Sequence, residues 1–147
     1  MIRLTDQGFD PGALLSAFCA GRTETGAVVS FTGLARAEAG RSLALELEAY
    51  PGFTEQEIAR IAETARTRFA LDDFAILHRV GKMAPGEPVV FVAVAAAHRR
   101  AAFEACDFLM DYLKSRAPFW KKETGPGGSR WVEPRPEDHA YIARWET

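Results

Sequence analysis

Apolar and polar positions along this chain switch between two periods, and the switches mark its elements. Residues 27–34 (AVVSFTGL) form an apolar run that reads as a strand. In 43–49, Leu43, Leu45, Leu47 and Ala49 alternate with Ala44, Glu46 and Glu48, the pattern of a half-buried strand. Ile58, Ile61, Ala62, Ala65 and Phe69 repeat instead at helical spacing, behind a capping box at 54–57 (TEQE). Residues 73–80 read as a strand and 81–86 as a turn. The nearly continuous run 88–96 (PVVFVAVAA) predicts a central strand covered on both faces. A helix over 98–116 turns Phe103, Cys106, Met110 and Leu113 inward. Two short strands follow at 119–123 and 130–133, joined by the turn 124–129 (TGPGGS). Near the start, Asp10 is the expected N-cap and Pro11 the first residue of a helix whose buried stripe is Leu14, Leu15, Phe18 and Cys19.

The order is helix, two strands, helix, two strands, helix, hairpin. It predicts an α+β sandwich with helices packed on a mixed or antiparallel sheet and a small added hairpin. The 147 residues suit a single domain spanning 1–147. No repeat, low-complexity tract or linker interrupts them.

Composition narrows the function. Hydrophobic residues make up 48%, enough for a sizeable core, and the net charge of -2 argues against a general nucleic-acid binder. An anion site must then be a local patch. Cys19 and Cys106 stand far apart, with no metal-ligand spacing, so neither a metal site nor a cofactor is expected. No signal peptide and no membrane-length apolar run is visible, and a cytoplasmic protein with no membrane partner is expected.

Candidate chemistry concentrates at 111–123 (DYLKSRAPFWKKE). Lys114 falls near the end of the long helix, Pro118 stops it, and Lys121 and Lys122 follow at once beside Phe119 and Trp120. Lysines meeting across such a corner can hold an anion. A lysine among cations and apolar walls also has a reason to lose its proton. A solvated basic helix end is the simpler reading of Lys114 alone. At the other end of the helix, His98, Arg99 and Arg100 stand where cations oppose the helix dipole. They call either for an anionic ligand or for acids such as Glu104 one turn on. Arg36 follows the first strand as an ordinary loop arginine or an anion ligand, and Arg79 and Lys82 read as surface groups. Trp120 and Trp131 can stack a heterocycle or serve a core or interface. Residues 125–128 lack the lysine and helix of a phosphate loop.

Together these pieces resemble the large, catalytic subunit of molybdopterin synthase. The resemblance rests on segments 26–36 (GAVVSFTGLAR), 47–55 (LEAYPGFTE), 78–81 (HRVG), 97–99 (AHR), 111–123 and 130–132 (RWV), which come in the family's order over most of the chain. It implies an α/β hammerhead fold with a small extra sheet, and a homodimer of large subunits. Each large subunit would bind a small ubiquitin-like sulfur carrier, whose C-terminal Gly-Gly thiocarboxylate enters its pocket. It implies transfer of sulfur to cyclic pyranopterin monophosphate, forming the dithiolene of molybdopterin. Lys114 and Lys121 are then the catalytic pair. Arg36, His98 and Arg99 bind phosphate and pterin, and Lys122 and Arg130 assist with the carrier tail or substrate. The residue pattern agrees: two unpaired cysteines on apolar stripes make a poor sulfur source, and a donor supplied in trans removes that difficulty. The competing reading is a non-catalytic module that binds a ubiquitin-like protein or acidic ligand. A phosphate-ester hydrolase is disfavoured, with no metal cluster or activated nucleophile in view.

Overall fold

The computed structural model of the protein describes residues 1–37, 44–132 and 136–146. In chain order its elements are β1 (Ile2–Thr5), α1 (Pro11–Cys19), β2 (Ala27–Leu34), β3 (Ala44–Ala49), α2 (Phe53–Phe69), β4 (Asp73–Arg79) and β5 (Gly81–Met83). They continue with β6 (Pro88–Ala96), α3 (Arg99–Arg116), β7 (Phe119–Gly125), β8 (Gly128–Val132), α4 (Pro136–Ile142) and a closing 3-10 turn, Ala143–Trp145. The expected α+β architecture is present, as two four-stranded sheets ordered β1-β4-β6-β2 and β5-β3-β7-β8.

The first sheet is mixed: β1 runs parallel to β4, while β4–β6 and β6–β2 are antiparallel. Alternation along β6 explains its unbroken apolar run. Val90, Val92, Val94 and Ala96 pack under α2 and α3, against Ile58, Ile61, Ala105 and Leu109. Phe91 and Ala93 point the other way, with Ala75 and Leu77, onto Phe9, Leu14, Leu15 and Phe18 around α1. Both faces are therefore covered, and burying a residue such as Phe91 contributes roughly 1.5–3 kcal/mol. In the second sheet Leu47, Met83 and Ala35 make a smaller core with Leu45 and Val89.

Several expectations change. Cys19 is exposed, because α1 ends there and its packed face stops at Phe18. The capping box does not form. Gly52, at φ 80°, is the N-cap of α2 with no side-chain bond, and Thr54 lies fully buried inside the helix. Arg79 is not a surface group: its side chain is 13% exposed and its guanidinium pairs with Glu87 at 2.5 Å. Part of the stretch read as a turn is β5, paired with β3. β1 and α4 went unforeseen. Residues 38–42 between the first two predicted strands, Leu43 and Glu133 lie outside the described residues.

Candidate active site

The corner between α3 and β7 is built by its sequence. α3 runs to Arg116, Ala117 adopts an extended C-cap, and Pro118 prevents another helical turn. The carbonyl of Pro118 accepts a 2.7 Å hydrogen bond from the hydroxyl of Thr54, which itself accepts the Tyr50 N–H at 2.9 Å. The start of α2 thus clamps the end of α3.

β7 then sorts the two lysines by pleat. Lys121 sits opposite buried Leu47 of β3, so it shares the face of Phe119 and the small core. Lys122 sits opposite Glu46 and Trp131, on the outer face with Trp120. There its ammonium lies 5.6 Å from the Trp131 ring centroid, and the rings of Trp120 and Trp131 meet at 5.8 Å. Trp120 and Trp131 are about half exposed. Adjacent in sequence, the two lysines therefore face different surroundings. On the inner face Glu123 is the shared acid, 3.7 Å from the Lys121 ammonium and 3.4 Å from the Arg130 guanidinium.

Lys114, on α3, lies near enough to His78 for its charge to act on the imidazole, while Lys121, Lys122 and Arg130 are not among the residues that line the cavity of Lys114. His78, at the end of β4, stacks on Phe119 with ring centroids 4.2 Å apart. Burial first, and the nearby Lys114 charge, lower its pKa from 6.5 to about 4, so the imidazole is neutral near pH 7. His78 thus touches the strand of Lys121 and feels the charge of Lys114.

A cavity of about 400 Å³ opens beside this corner. β2 lines it with Val29, Ser30 and Phe31; α3 with Phe103, Cys106, Asp107, Met110, Asp111 and Lys114; α4 with Asp138 and Tyr141. The α3 residues recur three or four apart, so they form one stripe. From Phe103 to Lys114 it runs about 16 Å along the helix axis. Among the described residues β2 is an edge strand, so the cavity lies beside the edge of the first sheet. Among the described lining residues Lys114 is the one cation. Arg144 holds the carboxylates of Asp107 and Asp111 at 2.7 and 2.6 Å, and Trp145 Nε1 donates to Asp111 at 2.7 Å. Cys106 faces the cavity with its thiol pKa pushed up to about 11 by burial, so its sulfur stays protonated.

The remaining candidates lie elsewhere. His98 is the N-cap position of α3 and makes no side-chain cap bond; Arg99 and Arg100 are exposed beside it. Fifteen residues of helix, about 22 Å, separate Arg99 from Lys114. Within one chain, then, His98 and Arg99 do not line the cavity that holds Lys114. A Cβ on Gly26 would overlap the carbonyl oxygen of Ala97, so only glycine lets the start of β2 pass so close to the His98 turn. Arg36 is exposed just past β2 and does not line the cavity.

Sequence reasoning missed His78, Thr54, Phe31, Tyr141 and the cavity role of Phe103 and Met110. Helical spacing predicts Phe103 in the core, yet it is 62% exposed. α3 carries two adjacent apolar stripes: Ala102, Ala105, Leu109 and Leu113 fill the core, and Phe103 and Met110 face the cavity. Apolar residues over more than one helical face were the available signal.

The sequence pattern of the MoaE protein family matches residues 4–116. The chain belongs to the MoaE family. A relative from Caulobacter vibrioides, named molybdopterin synthase catalytic subunit, is 68% identical over 146 residues, covering 99% of this chain and 97% of its own. A solved MoaE-family structure, a molybdopterin biosynthesis protein from Burkholderia ambifaria, superposes with a TM-score of 0.86 at 46% identity. The match covers 100% of this chain and 98% of that one. A molybdopterin synthase structure from Staphylococcus aureus matches with a TM-score of 0.79 at 29% identity, over 88% of this chain and 94% of its own. The architecture above is therefore that of the MoaE family. Among the described residues no group of three or more His, Cys, Asp or Glu could hold a metal ion, and no helix is long and apolar enough to cross a membrane.

Proposed function

We propose that this chain is the catalytic subunit of a molybdopterin synthase. It takes sulfur from the C-terminal thiocarboxylate of a small ubiquitin-like carrier and delivers it to cyclic pyranopterin monophosphate, building the dithiolene. The observation that carries this reading is the apolar groove along α3, which ends at Lys114 beside the Lys121 corner. Its length, about 16 Å, suits four or five residues of extended chain. Glycines at the end of such a chain fit close to backbone and to Phe31 and Met110.

Cys106 is the thiol within the groove, and burial keeps it protonated. A protonated thiol is a poor nucleophile, which favours sulfur arriving on a partner. The thiocarboxylate sulfur bonds to a side-chain carbon of the pterin as that carbon's oxygen substituent leaves, creating an acyl–thio link. Water then cleaves the acyl carbon–sulfur bond, leaving the sulfur on the pterin and releasing the carrier as a carboxylate. A second carrier supplies the second sulfur in the same way. Ammonium groups of Lys114 and Lys121 stabilise the negative charge that develops and can move protons to and from it. Lys121 is proposed as catalytic and Lys122, on the outer face, as an auxiliary contact with the carrier. Arg130 shares Glu123 with Lys121 and is proposed to hold the tail or the substrate.

Arg36, His98 and Arg99 are proposed as ligands for the phosphate and pterin. Since α3 holds His98 and Arg99 about 22 Å from Lys114, they serve this site from a second copy of the chain in a homodimer. The proposed setting is the cytoplasm, in keeping with two free cysteines. The test combines purified chain, thiocarboxylated carrier and the cyclic substrate. Dithiolene product within a single turnover supports the enzyme; carrier binding without product supports the binding module instead.

A further inference from the structure

A residue stacked on Phe119 and near the Lys114 charge is not used directly by the proposed reaction. This residue, His78, is half-buried. Its Nδ1 lies 2.9 Å from the carbonyl oxygen of Arg79. A carbonyl only accepts, so Nδ1 carries the proton and Nε2 keeps its lone pair. The ring plane lies within 25° of the Phe119 ring. Two bonds of different kinds thus fix the imidazole: a hydrogen bond to its own strand and a stack on the next sheet's strand.

We propose that His78 is a positioning residue for the catalytic lysines, with its anchored ring clamping Phe119 and so aiming Lys121 at the groove end occupied by Lys114. The proposal rests on the sulfur-transfer reading above. Phe119 and Lys121 sit two apart on β7 and share one face, so a shift or twist at Phe119 is passed to Lys121. Lys122 points the opposite way and is not aimed by this contact. Thr54 fixes the preceding carbonyl, that of Pro118, so the backbone on one side of Phe119 and its ring are both held. A hydrophobic residue could fill the same space. A neutral imidazole has the further property of placing a flat aromatic beside Lys114 without adding a second positive charge there at neutral pH.

The test compares wild type with His78→Ala, His78→Phe and Phe119→Leu. Phe119→Leu removes the stack from the other side and keeps the proposal open to refutation if His78→Ala does not fold. Single-turnover transfer at saturating carrier and substrate is expected to fall at least tenfold in His78→Ala and Phe119→Leu. KM for the carrier stays within about twofold, and His78→Phe recovers transfer to within about threefold of wild type. A second readout needs no activity: acylation of lysine amines by acetic anhydride, followed by mass spectrometry. Lys121 is expected to change its acylation rate at least threefold in His78→Ala and Phe119→Leu, with Lys122 unchanged as internal control. Unaltered Lys121 acylation, or equal changes at Lys121 and Lys122, overturns the positioning role. If Lys121 acylation changes as expected but wild type makes no product, the sulfur-transfer reading fails while the clamp stands.

Discussion

Thr54 and Pro118, 64 residues apart, are joined by one hydroxyl that donates to the Pro118 carbonyl and accepts the Tyr50 N–H. Thr54 is fully buried, so neither bond is replaced by water once the hydroxyl is gone. Thr54→Val keeps the shape and strands both partners, at a cost of roughly 1–3 kcal/mol. A lower denaturant midpoint and slower sulfur transfer are expected, with Thr54→Ser close to wild type. An unchanged midpoint in Thr54→Val would show that the clamp contributes nothing.

His78 makes stability depend on pH. Its folded-state pKa, about 4, lies below its ordinary 6.5, so between those values the unfolded chain binds more protons. The contribution is fully present above pH 6.5, is lost as pH falls towards 4, and is level below that. Its size is on the order of 3 kcal/mol. Unfolding free energies of wild type and His78→Phe, measured from pH 7.5 to 3.5, should diverge in that window, with wild type losing more. Parallel curves would mean that the imidazole is protonated as easily in the fold as out of it.

Cys106 lines the groove but holds its proton. Cys106→Ala is expected to transfer sulfur within about threefold of wild type and to lose about 1 kcal/mol of stability from the emptied space. Loss of transfer in a folded variant would make Cys106 a relay for the sulfur.

Phe103 is exposed on the groove wall and contributes little to the core. Phe103→Asp should leave the melting temperature nearly unchanged. It should raise the KM for the carrier tenfold or more, and leave single-turnover transfer at saturating carrier within about threefold. A large fall in that saturated rate, with KM unchanged, would place the tail elsewhere.

Much of the fold was legible because burial leaves a period. β6 between two covered faces, α2 with its stripe, and the α3–Pro118–β7 corner all follow from spacing. β1 escaped because Ile2 and Leu4 make only one short alternation, and a four-residue strand is specified by its parallel partner β4. α4 did carry a start signal, Pro136 followed by Glu137 and Asp138, but its seven residues offer little periodicity. The Thr54 spacing fits a capping box, and only the tertiary contact with Pro118 shows the hydroxyl's use. The lysines were visible as a cluster, whereas the pleat that divides Lys121 from Lys122 needed the register of β7 against β3. His78 looked like any strand histidine until Phe119 was seen lying on it.

That division between neighbouring lysines is the most exposed claim of the account. Lys121 shares the inner face with Leu47 and Phe119, and Lys122 lies over Trp131 outside. Its side chain is 43% exposed, so Lys121→Ala should cost well under ~1 kcal/mol of folding free energy. Losing a group that stabilises transition-state charge should instead remove on the order of 3 kcal/mol, about a hundredfold in rate. The deciding measurement is single-turnover dithiolene formation by wild type, Lys121→Ala and Lys122→Ala, each with thiocarboxylated carrier and checked by melting temperature. The account predicts a fall of about a hundredfold for Lys121→Ala at unchanged melting temperature, with Lys122→Ala within tenfold of wild type. Near-normal transfer by Lys121→Ala, or equal losses in both variants, would contradict it.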